Sequence, residues 1–229
     1  MPSPLSKVAY NARLEQRRPW KSPSPEISEG ILSVISIWSE IDMSLGRLLS
    51  YFVGGNHITI ASMYQEIRGD QAKKNVLFAA AMASLPREEY ALVKAVIESF
   101  DSERRQRNIF AHHVYDNIIG RDDCVVITDP IIYGMNAAKQ EEWRLNRFAR
   151  IDAESAADGP PDIDQDAMMV YTITDISNCI EGAKTAHNYI GRIPFAICGH
   201  PSADHMRPEL LALPEVRGRF DKLMKRTKD

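Results

Sequence analysis

The chain has 229 residues, 44% of them hydrophobic and 26% charged, which suits a globular chain of one embellished domain or two small ones. Lys+Arg total 28 against Asp+Glu 31, a formal charge of −3 that excludes a histone-like binder acting through its whole surface. Any nucleic-acid contact has to come from a local patch. The longest apolar runs, Ile31 to Trp38 and Val76 to Leu85, fall short of the ~20 residues that span a bilayer, so no membrane partner is expected. The N-terminus carries no apolar signal core, and Cys124, Cys179 and Cys198 are odd in number and widely spaced. Together these read as a cytoplasmic protein with free thiols. Cys198-Gly-His200 with His205 comes nearest to a metal cluster but lacks a fourth ligand, so no metal and no cofactor is expected.

Residues 1–25 are rich in Ser, Pro and basic side chains, Arg17, Arg18 and Lys21 among them, and read as an N-terminal arm. Ser24-Pro25 starts a helix, which continues through Ile31, Ile35, Trp38, Leu45, Leu49 and Phe52 and stops at Gly54-Gly55. A short helix is predicted over Ile60 to Ile67, and a third from Asp70 to about Leu85. A fourth runs from Pro86 through Tyr90, Val93, Val96, Ile97 and Phe100 to about Tyr115. Short connections between helices indicate a bundle.

After Gly120 the pattern shifts. Cys124–Thr128 and Ile131–Tyr133 flank Asp129-Pro130 and predict a small β-hairpin, with Trp143 and Phe148 as further strand or packing residues. Residues 152–166 read as an acidic loop whose spacing does not fit an EF-hand. Thr174-Asp175 caps a last long helix ending near Gly191, and the tail closes with a short basic helix containing Arg217, Arg219, Lys222, Lys225 and Arg226. The predicted organisation is an arm at 1–25, a mainly α-helical bundle of four to five helices at 26–191 interrupted by a β and acidic-loop insertion at about 121–168, and a tail at 192–229.

Two stripes carry polar residues where apolar ones are expected. On the first helix, strict helical steps from Ile31 place Asp42 at the centre of the stripe, where a carboxylate is costly unless paired. On the fourth, Arg104 and Arg107 continue the apolar face, so an acid on one core face is expected to meet an arginine on another. Arg107 and His112 lie five positions apart, about 140° around the axis. Asn108 and His112 fall on the other side of the stripe from Arg107, and His113 points to solvent. Cleaving RNA through its own 2′-hydroxyl needs a general base and a fixed cation for the phosphate. Histidine and arginine suit those roles at neutral pH. One copy of each is sparse, and a two-fold dimer would supply two.

The segment Arg107-Asn108-Ile109-Phe110-Ala111-His112, with the acidic helix Ile41-Asp42-Met43-Ser44-Leu45, resembles the HEPN superfamily, whose signature is Arg, four to six residues, then His. The resemblance covers residues 26–118, with the helix near 174–191 completing the bundle. It implies a homodimer through the motif helices and a metal-independent endoribonuclease acting in toxin, defence or RNA-processing roles. His112 would be the base, Arg107 the phosphate clamp and Asn108 its polar partner, with Asp42 anchoring Arg107 from behind. Arg104, Arg105, His113 and Tyr115 would contact RNA. A six-residue spacing would choose His113, which also opens a His-x-Tyr pattern; the helical wheel favours His112. An antitoxin or regulatory protein is a further implied partner. The rival readings are a non-catalytic HEPN dimerisation or RNA/nucleotide-binding module, and a structural helical protein in which the motif is accidental.

Overall fold

The computed structural model describes residues 1–8, 14, 23–149, 163–197 and 199–225, and of 146–149 the backbone only. The acidic residues Asp152, Glu154, Asp158 and Asp162, the basic Arg17, Arg18 and Lys21, and Cys198 lie outside the described residues. In chain order the elements are β1 (Ser3–Pro4), α1 (Leu5–Val8), α2 (Pro25–Val53), α3 (His57–Glu66), α4 (Asp70–Ser84), α5 (Arg87–Ser99) and α6 (Asp101–His112). They continue with β2 (Val114–Asp116), β3 (Cys124–Thr128), α7 (Pro130–Ala149), β4 (Met168–Thr172), α8 (Ile173–Ala196), α9 (Ala203–Leu210) and α10 (Pro214–Lys225). The chain is mainly helical, with one four-stranded antiparallel sheet in the order β1-β4-β3-β2.

Several helix boundaries follow the expected capping chemistry, although α4 and α5 start at Gly69 and Pro86 with no side-chain cap. The Ile27 amide donates to Ser24 Oγ at 3.4 Å, starting α2. Gly54 and Gly55, at φ of +71° and +105°, end it in a conformation that side chains disfavour. Asn56 Oδ1 accepts from the Thr59 amide at 3.0 Å and starts α3 three residues earlier than the periodicity indicated.

Four expectations need correction. The helix after Pro86 does not run unbroken to Tyr115: Phe100 leaves helical geometry at φ −108° and ψ 22°, separating α5 from α6. Ile131–Tyr133 is not a strand. The Asp129 carboxylate accepts from the Ile131 amide at 2.8 Å and Pro130 fills the first turn, so Asp-Pro starts α7, which also takes in Trp143 and Phe148. The hairpin that does form pairs β2 with β3. Helix α8 does not stop at Gly191; it is capped at its start by reciprocal Thr172–Asp175 bonds of 3.0 and 3.2 Å and continues past Pro194 to Ala196. The start of the predicted arm is ordered as a strand, Ser3 and Pro4 pairing with Val170 and Met169.

The described chain divides into two compact units, 1–33 with 107–179 and 34–106 with 180–229. Unit 1 holds the sheet. Strand β3 is buried along its whole length; Cys124 and Val126 pack with Leu5, Ile118, Met168 and Val170, while Tyr171, the register partner of Val125, meets the Phe110 ring edge-on at 5.3 Å. Burial on both faces explains its unbroken apolar run.

Unit 2 is helical. The buried stripe of α2 runs Val34, Trp38, Ile41, Leu45, Leu48, Leu49 and Phe52. Ile41, not Asp42, occupies the central core position. One residue is about 100° of rotation, which moves Asp42 to the flank of the stripe. Helix α5 is buried almost throughout and packs against α4 and, most extensively, α10, so the tail's basic helix is an integral part of unit 2.

Candidate functional site

The motif helix α6 carries the candidate residues. Asp101 starts it, and its carboxylate is bonded to Lys74 Nζ at 3.0 Å. Arg104 and Arg105 belong to unit 2; Arg107, Asn108, His112, His113 and Tyr115 belong to unit 1. Each set is described by itself.

In unit 2, Arg104 is only 8% exposed, its guanidinium 5.5 Å from the centre of the Trp38 ring. That geometry is a cation–π contact inside the core. Arg105 is exposed. Asp42 is half-buried and takes Lys73 Nζ at 3.0 Å, and the same ammonium lies 5.1 Å from the Tyr64 ring centre. Tyr64 is fully buried, and burial first, with the Asp42 charge beside it, raises its hydroxyl far above the usual range. The partner of the Asp42 carboxylate is thus Lys73 rather than the expected Arg107 or Asn108. Its flank position turns it towards α4, because the central position of the stripe belongs to Ile41.

In unit 1, Arg107 is half-buried. Its Nη1 donates to Asn108 Oδ1 at 3.0 Å, and its Nε is buried with no hydrogen-bond partner among the described residues. Asn108 therefore sits against the guanidinium, as a polar partner should. His112, the last residue of α6, is exposed.

His113 was expected to face solvent, and it does not: its side chain is 25% exposed and its Nδ1 is buried and unbonded, while Nε2 lies 3.9 Å from Asp129 Oδ2. The cause is the helix end. His113 sits at the bend leading into β2, beyond the reach of the wheel that governs Arg107 to His112. Asp129 thus does two jobs, one oxygen capping α7 and the other facing an imidazole. Tyr115 is drawn inward as well. Its hydroxyl donates to the Phe110 carbonyl, one of the last carbonyls of α6 left without a helical partner, and burial pushes its pKa up to about 12.

Arg107 and Asn108 are therefore in contact on the last turns of α6, and His112, one turn beyond Asn108, stands in solvent. Together they offer a hydrogen-bonding cation and a titratable base, the two groups that phosphodiester transesterification needs. Among the described residues no cluster of His, Cys, Asp or Glu could hold a metal ion. The sequence did not point to the inward turn of His113 and Tyr115; the bend after His112 was the missing information. No protein-family model matches the chain, and neither a curated protein nor a solved structure matches it.

Proposed function

We propose that this protein is an endoribonuclease of HEPN type, working as a homodimer that brings two copies of the α6 motif to one groove. The observation that carries the reading is the contact between Arg107 and Asn108, with the exposed His112 completing the motif. In this reading His112 removes the 2′-hydroxyl proton of a single-stranded or looped RNA. That oxygen attacks the adjacent phosphorus, the P–O5′ bond breaks, the leaving 5′-oxygen takes a proton from water, and a 2′,3′-cyclic phosphate remains. Arg107, half-buried, stabilises the charge gathering on the phosphate oxygens through the exposed part of its guanidinium. Asn108 is the positioning residue, holding the guanidinium plane. Arg105, exposed in unit 2, offers RNA a phosphate contact of its own. Arg104 and Asp42 have no part in the chemistry, since Trp38 and Lys73 occupy them. The setting is toxin, defence or RNA processing, with an antitoxin or regulatory protein as a further partner.

The test is a time course on a mixed RNA pool with and without EDTA, alongside DNA of the same sequence and light scattering of the protein. The reading expects cyclic phosphate ends, activity that persists in chelator, uncut DNA and a dimer at micromolar concentration. Loss of cleavage in EDTA, or a stable monomer, would overturn it. The companion reading, a non-catalytic RNA-binding module, predicts RNA binding that depends on Arg107 with no cleavage by the wild-type protein.

A further inference from the structure

Away from the motif, helices α2 and α3 of unit 2 enclose an open cleft of about 320 Å³ lined by Met43, Arg47, His57, Ile58, Ala61, Ser62 and Gln65. That size is at the lower end of small-molecule sites. The two helices approach closely because Gly46 lies at their crossing. A Cβ there would come 3.3 Å from the Tyr64 ring and 3.5 Å from the Ala61 Cα.

The polar wall is held in place from behind. Ser50 is completely buried, and its Oγ lies 2.5 Å from the Arg47 carbonyl and 2.6 Å from His57 Nδ1. A hydroxyl has one proton. The carbonyl can only accept, so the Ser50 proton goes there and His57 must donate through Nδ1–H. Nδ1–H is thereby committed to Ser50, and Nε2 is the nitrogen left to meet a ligand, as a donor in the imidazolium form. Gln65 is tied by its amide to the Asp42 carbonyl at 3.3 Å. Arg47, one turn from Met43, pairs with no carboxylate among the described residues, and no carboxylate lines the cleft. The rest of the lining is apolar: Met43 and Ile58, 49% and 80% exposed, and Ala61.

We propose that this cleft binds a small organic oxyanion, a phosphate or carboxylate monoanion or dianion carrying an apolar body. Arg47 and His57 take the oxygens, Ser62 and Gln65 add donors, and the body lies on Met43, Ile58 and Ala61. An arginine without an acid, beside exposed apolar side chains, matches that ligand class and rejects cations and uncharged polyols. The site is independent of the nuclease reading, since none of its residues is in the α6 motif.

Phenyl phosphate is the probe, titrated by calorimetry and by the shifts of the His57 imidazole resonances. Benzoate tests a carboxylate head, inorganic phosphate the head alone and benzyl alcohol the body alone. Saturable binding of phenyl phosphate or benzoate, weaker binding of inorganic phosphate and benzyl alcohol, and about tenfold loss in Arg47→Gln and in Ile58→Asp are expected. Which head binds names the source of the oxyanion. Arg217→Gln, at an exposed position of α10 outside the cleft, should bind as the wild type does. The proposal is overturned if neither aromatic anion saturates, if inorganic phosphate binds as well as phenyl phosphate, or if Arg47→Gln binds undiminished. Sedimentation of the same samples covers the remaining case: a dimer dissociated by Ile58→Asp, with no aromatic anion bound to the wild type, would make the cleft a contact between copies and overturn the ligand site.

Discussion

In unit 2 three carboxylates are closed by cations. Glu89, buried in the first turn of α5, meets Arg207; Asp42 meets Lys73; Asp101 meets Lys74. Its unbonded buried polar atoms among the described residues, Trp38 Nε1 and Tyr64 Oη, are neutral. In unit 1 the buried atoms without a partner include Arg107 Nε and His113 Nδ1, which belong to groups that carry or can carry charge, together with Thr128 Oγ1, Asn136 Nδ2 and Gln165 Oε1. An unmet buried polar group costs about 1–3 kcal/mol. Both units bear that cost, but in unit 1 it falls also on Arg107 and His113, groups that carry or can carry charge, at the end of α6. A protein that keeps such atoms open at one place keeps donors ready for something that arrives there, and strain of this kind concentrates at functional sites.

The largest test of that contrast is the rate of RNA cleavage. His112→Ala should lose on the order of 10²–10⁴ through the missing base. Arg107→Ala should lose on the order of 10²–10³ through the missing cation. Both proteins should melt within a few degrees of the wild type, because His112 is exposed and the guanidinium is only partly satisfied. His113→Ala should show the converse, a changed melting temperature and nearly unchanged cleavage per folded molecule, since its ring is drawn towards Asp129. Activity that survives His112→Ala and disappears with His113→Ala would exchange the roles of the two histidines.

The next effect belongs to unit 2. Arg207 reaches Glu89 with one arm and the Ala196 carbonyl with Nε at 2.8 Å, tying α9 to α5 and to the end of α8. Arg207→Ala leaves a buried carboxylate without its guanidinium and should cost about 3 kcal/mol in denaturant unfolding, with the cleavage rate of the remaining folded protein unchanged. A cost below about 1 kcal/mol would mean that the pair is solvated and that the contrast between the units is weaker than drawn.

How much of this was legible in the sequence depends on the range of the interaction. Ser24-Pro25, Gly54-Gly55 and Pro86 act within one turn, and the helix ends they mark were read correctly to within a few residues, whereas the break at Phe100 was not. Asp129-Pro130 is equally local and was misread, because a short apolar run after it fits a strand or a helix alike. The deciding signal, an Asp cap with Pro in the first turn, was present in the residues. Asp42 was placed in the core by a one-residue error of phase, enough to exchange Lys73 for Arg107 as its expected partner. The motif on α6 was visible because its members lie within six residues. Glu89 with Arg207, 118 positions apart, and Ser50 with His57, where a buried serine orients an exposed ring, leave no trace in periodicity.

A smaller test concerns the Thr172–Asp175 box at the start of α8. Thr172 Oγ1 donates to the Asp175 carboxylate at 2.7 Å and accepts from the Asp175 amide at 3.2 Å. Thr172→Ala should cost about 1 kcal/mol, read in urea unfolding, and Thr172→Ser should restore most of it. An equal cost for both variants would assign the loss to the methyl group in the sheet rather than to the cap.

The smallest effect distinguishes open from closed polar groups inside unit 1 itself. Tyr115 and Tyr171 are both pushed up to about 12, Tyr115 by burial and Tyr171 by burial first, with Cys179 and Asp175 adding negative charge. An ordinary tyrosine titrates near ~10. A folded-state value above the unfolded one means that the folded state holds its proton longer. The stabilisation is therefore complete below pH ~10, where both states are protonated, and is lost as the pH rises from ~10 towards ~12. Phenolate absorbance followed against pH should show most tyrosines ionising first, with a late step that shrinks in Tyr115→Phe and again in Tyr171→Phe. Tyr115→Phe also removes the hydroxyl that closes the Phe110 carbonyl, at a cost of about 1 kcal/mol near neutral pH, and leaves RNA cleavage unchanged. If Tyr115 instead ionises near pH ~10 and its loss slows cleavage, its hydroxyl faces the substrate, and the closed part of unit 1 would begin only beyond β2.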